Sequence, residues 1–181
     1  SPELLVGQVA ARTSTIRVGS GGVMLSHYSA LKVAENFRVL AALFPGRIDL
    51  GIGRARGSDQ ITAAALSHPR QLPDIRHFPE QVRDLLGHLS GNLDSSHRFA
   101  GVRAGPGSAT VPEVWLLGSR YESAMVAARL GLSFAYAHFF GFGVEEGPAI
   151  VEGYRKNFRP SEYLSGSRIN VAVQALCADT E

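Results

Sequence analysis

Four short runs place polar residues or bare glycines where an apolar segment ends. In "RIDLGIGRARGSD", residues 47–59, Arg54 follows directly on "DLGIG". A guanidinium fork leaving a strand end suits a phosphate, because it can donate two hydrogen bonds to one group. Its local alternative is a loop arginine paired with Asp59 or with solvent. The same run excludes a dinucleotide fingerprint, which needs the spacing G-x-G-x-x-G. Gly51 and Gly53 fit, but the third position is Arg56, and Gly57 arrives one residue late. "GSRYES", residues 118–123, turns a strand into a helix whose first N–H groups and positive dipole end favour anions. Ser119 and Ser123 add hydroxyl donors beside Gly118, although Ser119-x-x-Glu122 also reads as a capping box, a local device. "GSGG", residues 19–22, interrupts an apolar strand with glycines, so Ser20, Gly21 and Gly22 mark a bulge or a flat ligand lying on the main chain. His138, followed by Phe139 and Phe140, closes a further apolar run and could line a site. The other histidines (27, 68, 77, 88 and 97) lack metal-ligand spacing, and no metal is expected. Cys177, in "INVAVQALCAD", reads as a buried structural thiol.

These runs need elements to hold them. The pattern predicts helices over 2–12, with Leu5 and Val9 on one face, and over 29–44, with Val33, Phe37, Leu40 and Phe44 inward and Arg38 off the stripe. Further helices are expected over 78–91, 119–131 and about 144–157. Strands are expected over 15–25, 47–53, 113–118, 133–139 and 168–179, with irregular chain over 54–77 and an extended loop over 91–112. Near-continuously apolar strands alternating with helices, without tight hairpin signals, indicate a parallel sheet covered by helices. Two architectures remain, a doubly wound open sheet and part of a (β/α)8 barrel. In both, ligands bind at the carboxyl ends of strands.

Composition excludes several classes of function. At 181 residues with 45% apolar content, the chain can build one sizeable core. A net charge of +2, without a basic face, gives no reason to expect nucleic acid. A single cysteine makes no disulfide framework, and neither a membrane span nor a signal peptide is apparent. A cytoplasmic location is expected.

Taken together, the runs resemble the bacterial luciferase-like flavin monooxygenases. "RVGSGGVMLSHYSALKVAENFRVLAALFPGRIDLGIGRARGSD" is similar to that family's strand 3 through strand 4. "PEVWLLGSRYESAMVAARLGLSFAYAHF" resembles its strand 5 through strand 6, and "FRPSEYLSGSRINVAVQALCADT" the approach to strand 7. The resemblance implies a (β/α)8 TIM barrel, present here as roughly strands 3 to 7 of a single domain, 1–181, truncated at both ends. Five strands of eight cannot close a barrel, so a homo-oligomer or a longer chain is expected to complete it. The resemblance further implies a monooxygenase using reduced FMN and O2 on a small organic substrate, with a separate flavin reductase supplying the reduced cofactor. Arg54, Gly118, Ser119 and Ser123 would hold the flavin phosphate. The backbone of Ser20, Gly21 and Gly22 would support the ring, with a non-proline cis peptide expected at Ser20–Gly21. His138, Phe139 and Phe140 would face the substrate. A non-catalytic flavin-binding or partner-binding relative and a deazaflavin (F420)-dependent oxidoreductase are the alternative functions.

Overall fold

The computed structural model describes residues 2–55, 57–69, 74–107, 110–141 and 143–178. The described strands form a five-stranded sheet in chain order, with parallel pairing and helices between the strands. This is the expected α/β class, a fragment of the (β/α)-barrel type. The chain divides into two compact units, Ser1–Val114 and Trp115–Glu181.

In the first unit, α1 (Pro2–Arg12), β1 (Val18–Met24), α2 (Ala30–Leu43), β2 (Ile48–Gly53), α3 (Gln60–Ser67) and α4 (Phe78–Ser90) follow in order. Helix α1 buries Val6 and Ala10, whereas Leu5 and Val9, which share a face, are exposed. Helix α2 buries Val33, Phe37 and Leu40 as its periodicity demands. Each such large side chain contributes roughly 1.5–3 kcal/mol. Arg38 departs from expectation, because it is buried rather than off the stripe. Its fork is satisfied by main-chain oxygens: Nε and Nη2 donate to the Pro106 carbonyl at 3.1 and 2.8 Å, and Nη1 donates to that of Leu89. The region 54–77, expected to be irregular, contains α3. Asp59 caps it, accepting from the backbone N–H of Ile61 and of Thr62, both at 2.9 Å.

Two more arginines stitch the amino ends of the strands. Arg47 donates to the carbonyls of Ile16 (2.9 Å), Ala10 (3.0 Å) and Thr13 (2.7 Å), tying the end of α1 to the start of β2. Arg17 pairs with Asp49 and donates to the Gly46 carbonyl at 2.7 Å. Structural arginines thus gather at one end of the strands, and Arg54 stands at the other.

The second unit contains most of β3 (Glu113–Gly118), then α5 (Tyr121–Leu130), β4 (Ser133–Ala137), α6 (Gly147–Asn157) and β5 (Ile169–Ala172). Gly131 ends α5 at φ +63°, where a Cβ would also lie 2.5 Å from that of Ser161. Strand β5 is much shorter than the expected 168–179. Cys177 therefore lies beyond it and is exposed, not a buried thiol. Residues 138–140 form a short 3-10 turn instead of extending β4.

Candidate functional site

The glycines of β1 divide into two kinds. A Cβ on Gly19 would lie 2.4 Å from the Asp49 oxygen, and one on Gly22 would lie 2.8 Å from the Gly51 oxygen. Both positions are bare because β2 approaches closely. Gly21 is different: nothing lies within 4 Å of where its Cβ would be. On that side its main chain faces open space. Ser20 is buried beside it and donates Oγ–H to the Gly51 carbonyl at 2.8 Å.

The non-proline cis peptide lies at Gly21–Gly22, one bond beyond the expected Ser20–Gly21. The register explains the offset. Ser20 still pairs regularly with Leu50, and the irregularity falls between Ser20 and Val23, on the two glycines.

Strand β2 delivers Arg54 immediately after Gly53, which pairs with Met24 at the end of β1. The cradle at 20–22 and the guanidinium therefore belong to adjacent strands of one unit. Asp59, the proposed local partner of Arg54, uses its carboxylate to cap α3, and these capping hydrogen bonds hold its pKa below the ordinary carboxylate value.

In the second unit, Gly118 and Ser123 are forced together. A Cβ on Gly118 would lie 2.4 Å from Ser123 Cβ and 2.7 Å from its Oγ. Only a bare main chain lets the first turn of α5 sit on the end of β3, with Ser123 buried beneath. Ser119 does not cap the helix. Arg120 is the N-cap residue, without a side-chain capping bond, so the capping-box reading is corrected. Ser119 is half-buried at the strand-to-helix turn, and Glu122 is exposed. Gly118 pairs with Tyr136, one residue before Ala137 ends β4, so this turn neighbours the start of the His138–Phe140 turn. There His138 sits edge-on to Tyr136 at 6.2 Å, and the Phe139 and Phe140 rings lie 4.6 Å apart. Phe140 is 53% exposed, an aromatic surface rather than core.

The turn after β1 places two polar side chains beyond the glycines. Ser26 and His27 lie in the 3-10 turn Leu25–His27 that follows β1, and His27 is buried. The Ser26 Oγ is buried too, without a hydrogen-bond partner among the described residues. Their position just after "GSGG" was the available signal. No group of three or more metal-binding side chains occurs among the described residues. No helix of the described residues is long and apolar enough to cross a membrane.

A parallel sheet with helices between its strands, a fragment of barrel type, defines the class. The chain belongs to the luciferase-like monooxygenase family, which it matches over residues 1–181. It is 49% identical over its full length to YwcH of Bacillus subtilis, covering 54% of that protein. It is 46% identical over 146 residues to the N-acetyl-S-alkylcysteine monooxygenase of the same organism, with 81% of this chain and 43% of the relative covered. Among solved structures, apo-MsnO8 superposes with a TM-score of 0.84 at 42% identity, over 94% of this chain and 49% of that one. Fold likeness alone extends to the oxygenating constituent of 3,6-diketocamphane monooxygenase of Pseudomonas putida in complex with FMN (TM-score 0.65, 19% identity, 99% of this chain and 54% of that one). It extends likewise to the coenzyme F420 dependent tetrahydromethanopterin reductase of Methanopyrus kandleri (TM-score 0.60, 17% identity, 96% and 53%). The chain spans about half the length of the curated relatives it matches.

Proposed function

We propose that this chain carries flavin-holding elements of a monooxygenase that uses reduced FMN and O2 to oxygenate a small organic substrate. The observation that carries the reading is Gly21, whose main chain faces open space while Gly19 and Gly22 beside it are pressed onto β2. A flavin ring is planar and apolar on its faces, so a bare peptide surface accepts it where a side chain would hold it off. Arg54, at the end of the adjacent strand, is assigned the phosphate. In the second unit the Gly118, Ser119 and Ser123 turn offers hydroxyl and N–H donors of the kind a phosphate accepts.

Bound reduced flavin supplies the electrons that activate oxygen. The protein's own residues bind and orient. Ser20, anchored to the Gly51 carbonyl, fixes the cradle, and the arginine fixes the register of the cofactor along it. His138, Phe139 and Phe140 are assigned to the substrate side, where the aromatic surface would exclude water. The relative named for N-acetyl-S-alkylcysteine makes an S-alkyl thioether the first substrate to test.

The test is fluorescence titration of the chain with oxidised and reduced FMN, beside Arg54→Ala and with F420 as the competing cofactor. Micromolar FMN binding that weakens about tenfold in the variant, a loss of ~1.4 kcal/mol, supports the reading. Preference for F420 would move the function to hydride transfer without oxygen. A folded chain that binds neither would overturn the assignment of the cradle.

A further inference from the structure

The turn that carries Arg54 is clasped by a methionine. Met24 ends β1, opposite Gly53 in the register with β2. A Cβ on Gly53 would lie 3.2 Å from Met24 Sδ and 3.8 Å from its Cε. A Cβ on Gly57 would lie 3.1 Å from Met24 Cε, 3.2 Å from Cγ and 3.5 Å from Sδ. The thioether end therefore runs along the main chain on both sides of Arg54, in space that side chains at 53 and 57 would claim. Gly57, at φ +66°, reverses the chain there in a conformation that favours glycine. Met24 itself is half-buried, so this contact sits at the mouth of the strands and not in the closed core.

We propose that Met24 is a positioning residue for Arg54: its thioether packs against Gly53 and Gly57 and so fixes the direction in which the guanidinium leaves β2. The proposal rests on the reading of Arg54 as the flavin phosphate ligand. An arginine fork grips a phosphate only when its base is held, because a wandering turn must be ordered at the moment of binding. An unbranched, polarisable side chain is suited to following an irregular channel between two bare stretches of backbone.

The experiment compares FMN with riboflavin, which has the same ring and no phosphate. Binding of both is measured by fluorescence for the wild-type chain, Met24→Ala, Met24→Leu, Arg54→Ala and the double Ala variant. Met24→Ala is expected to weaken FMN about tenfold and to leave riboflavin within about twofold. Met24→Leu, which restores most of the volume, is expected to recover most of that affinity. The double variant should bind FMN no more weakly than Arg54→Ala alone, since both substitutions remove one coupled interaction. Equal weakening of FMN and riboflavin by Met24→Ala would overturn the proposal, as would additive losses. If Arg54→Ala weakens FMN and Met24→Ala does not, the positioning role alone fails. If Arg54→Ala leaves FMN unchanged, the phosphate reading fails and takes the proposal with it. Should Met24→Ala not fold, by circular dichroism, Gly53→Ala serves: its methyl would lie 3.2 Å from the Met24 sulfur and push the thioether aside by a few tenths of an ångström, and a smaller phosphate-selective loss is expected.

Discussion

His88 shows how one buried side chain sets a pH response. It is 5% exposed on α4, and burial holds its pKa below the ordinary histidine value. Nearby Asp84 pulls it upward, and His97 pushes it further down. The unfolded chain takes up this proton near pH ~6.5, and the folded chain only at lower pH. The folded state is therefore fully supported above that value and loses stability as pH falls from it toward the folded pKa. We expect the urea midpoint to fall on going from neutral pH toward mildly acid pH, and the fall to be shallower in His88→Gln. An identical slope in the variant would show that the imidazole titrates alike in both states. The carboxylates of Asp59 and Asp94, both held low by hydrogen bonds, act in a separate window below pH ~4, so they do not confuse the comparison. At this scale the sequence was legible in position, as at Arg54, which follows directly on the end of β2 at Gly53. It misled at Ser119, because Gly118 lets Ser123 tuck under the first turn and α5 starts from Arg120 instead. Met24 was invisible, since its role depends on two glycines that share its space only after folding.

Elements were legible where periodicity ran long and turn residues closed it. Helices α2 and α4 and strands β2 and β3 lie within a residue or so of expectation, and Gly91 and Gly131 end their helices in the left-handed region. Helix α3 was missed because only 8 residues carry it and its cap, Asp59, was read as a partner for arginine. What fastens elements together was less legible still. The Tyr154 hydroxyl, buried on α6, donates within reach of the Leu132 carbonyl (2.9 Å) and the Arg168 carbonyl (3.0 Å). It accepts from the Arg168 N–H at 3.1 Å. One hydroxyl thus ties α6 to the entry of both β4 and β5, and burial raises its pKa, which keeps it protonated and able to donate. Removing only that oxygen in Tyr154→Phe takes a partner from the buried Leu132 carbonyl, a loss of about 1–3 kcal/mol, while the Arg168 carbonyl still accepts from the Phe134 N–H at 3.0 Å. Thermal unfolding followed by circular dichroism is expected to show this as a lowered midpoint. An unchanged midpoint would mean that water replaces the hydroxyl and that the ring, tilted against that of Phe134 at 5.5 Å, carries the whole contact.

The molecule as a whole shows apolar side chains that this chain does not cover. Val171 is 48% exposed, Val173 60% and Leu176 97%, all on or just after β5, the last strand of the sheet. Exposed single residues are ordinary, and three within six positions put exposed apolar area at the end of the sheet. The curated relatives at 40% identity or more run to about twice this length, so they contain chain that could pack there. Two measurements on the same substitutions separate surface from core. In the 181-residue chain, Val173→Thr and Leu176→Ser are each expected to change stability by less than ~0.5 kcal/mol, because neither loses much burial. Binding of the apolar dye ANS is expected to fall in the same variants. In a chain extended to the relatives' length, a side chain that becomes buried would instead lose ~1 kcal/mol or more on the same change. A small effect at both lengths would mean that Val173 and Leu176 stay open to solvent whatever chain is added.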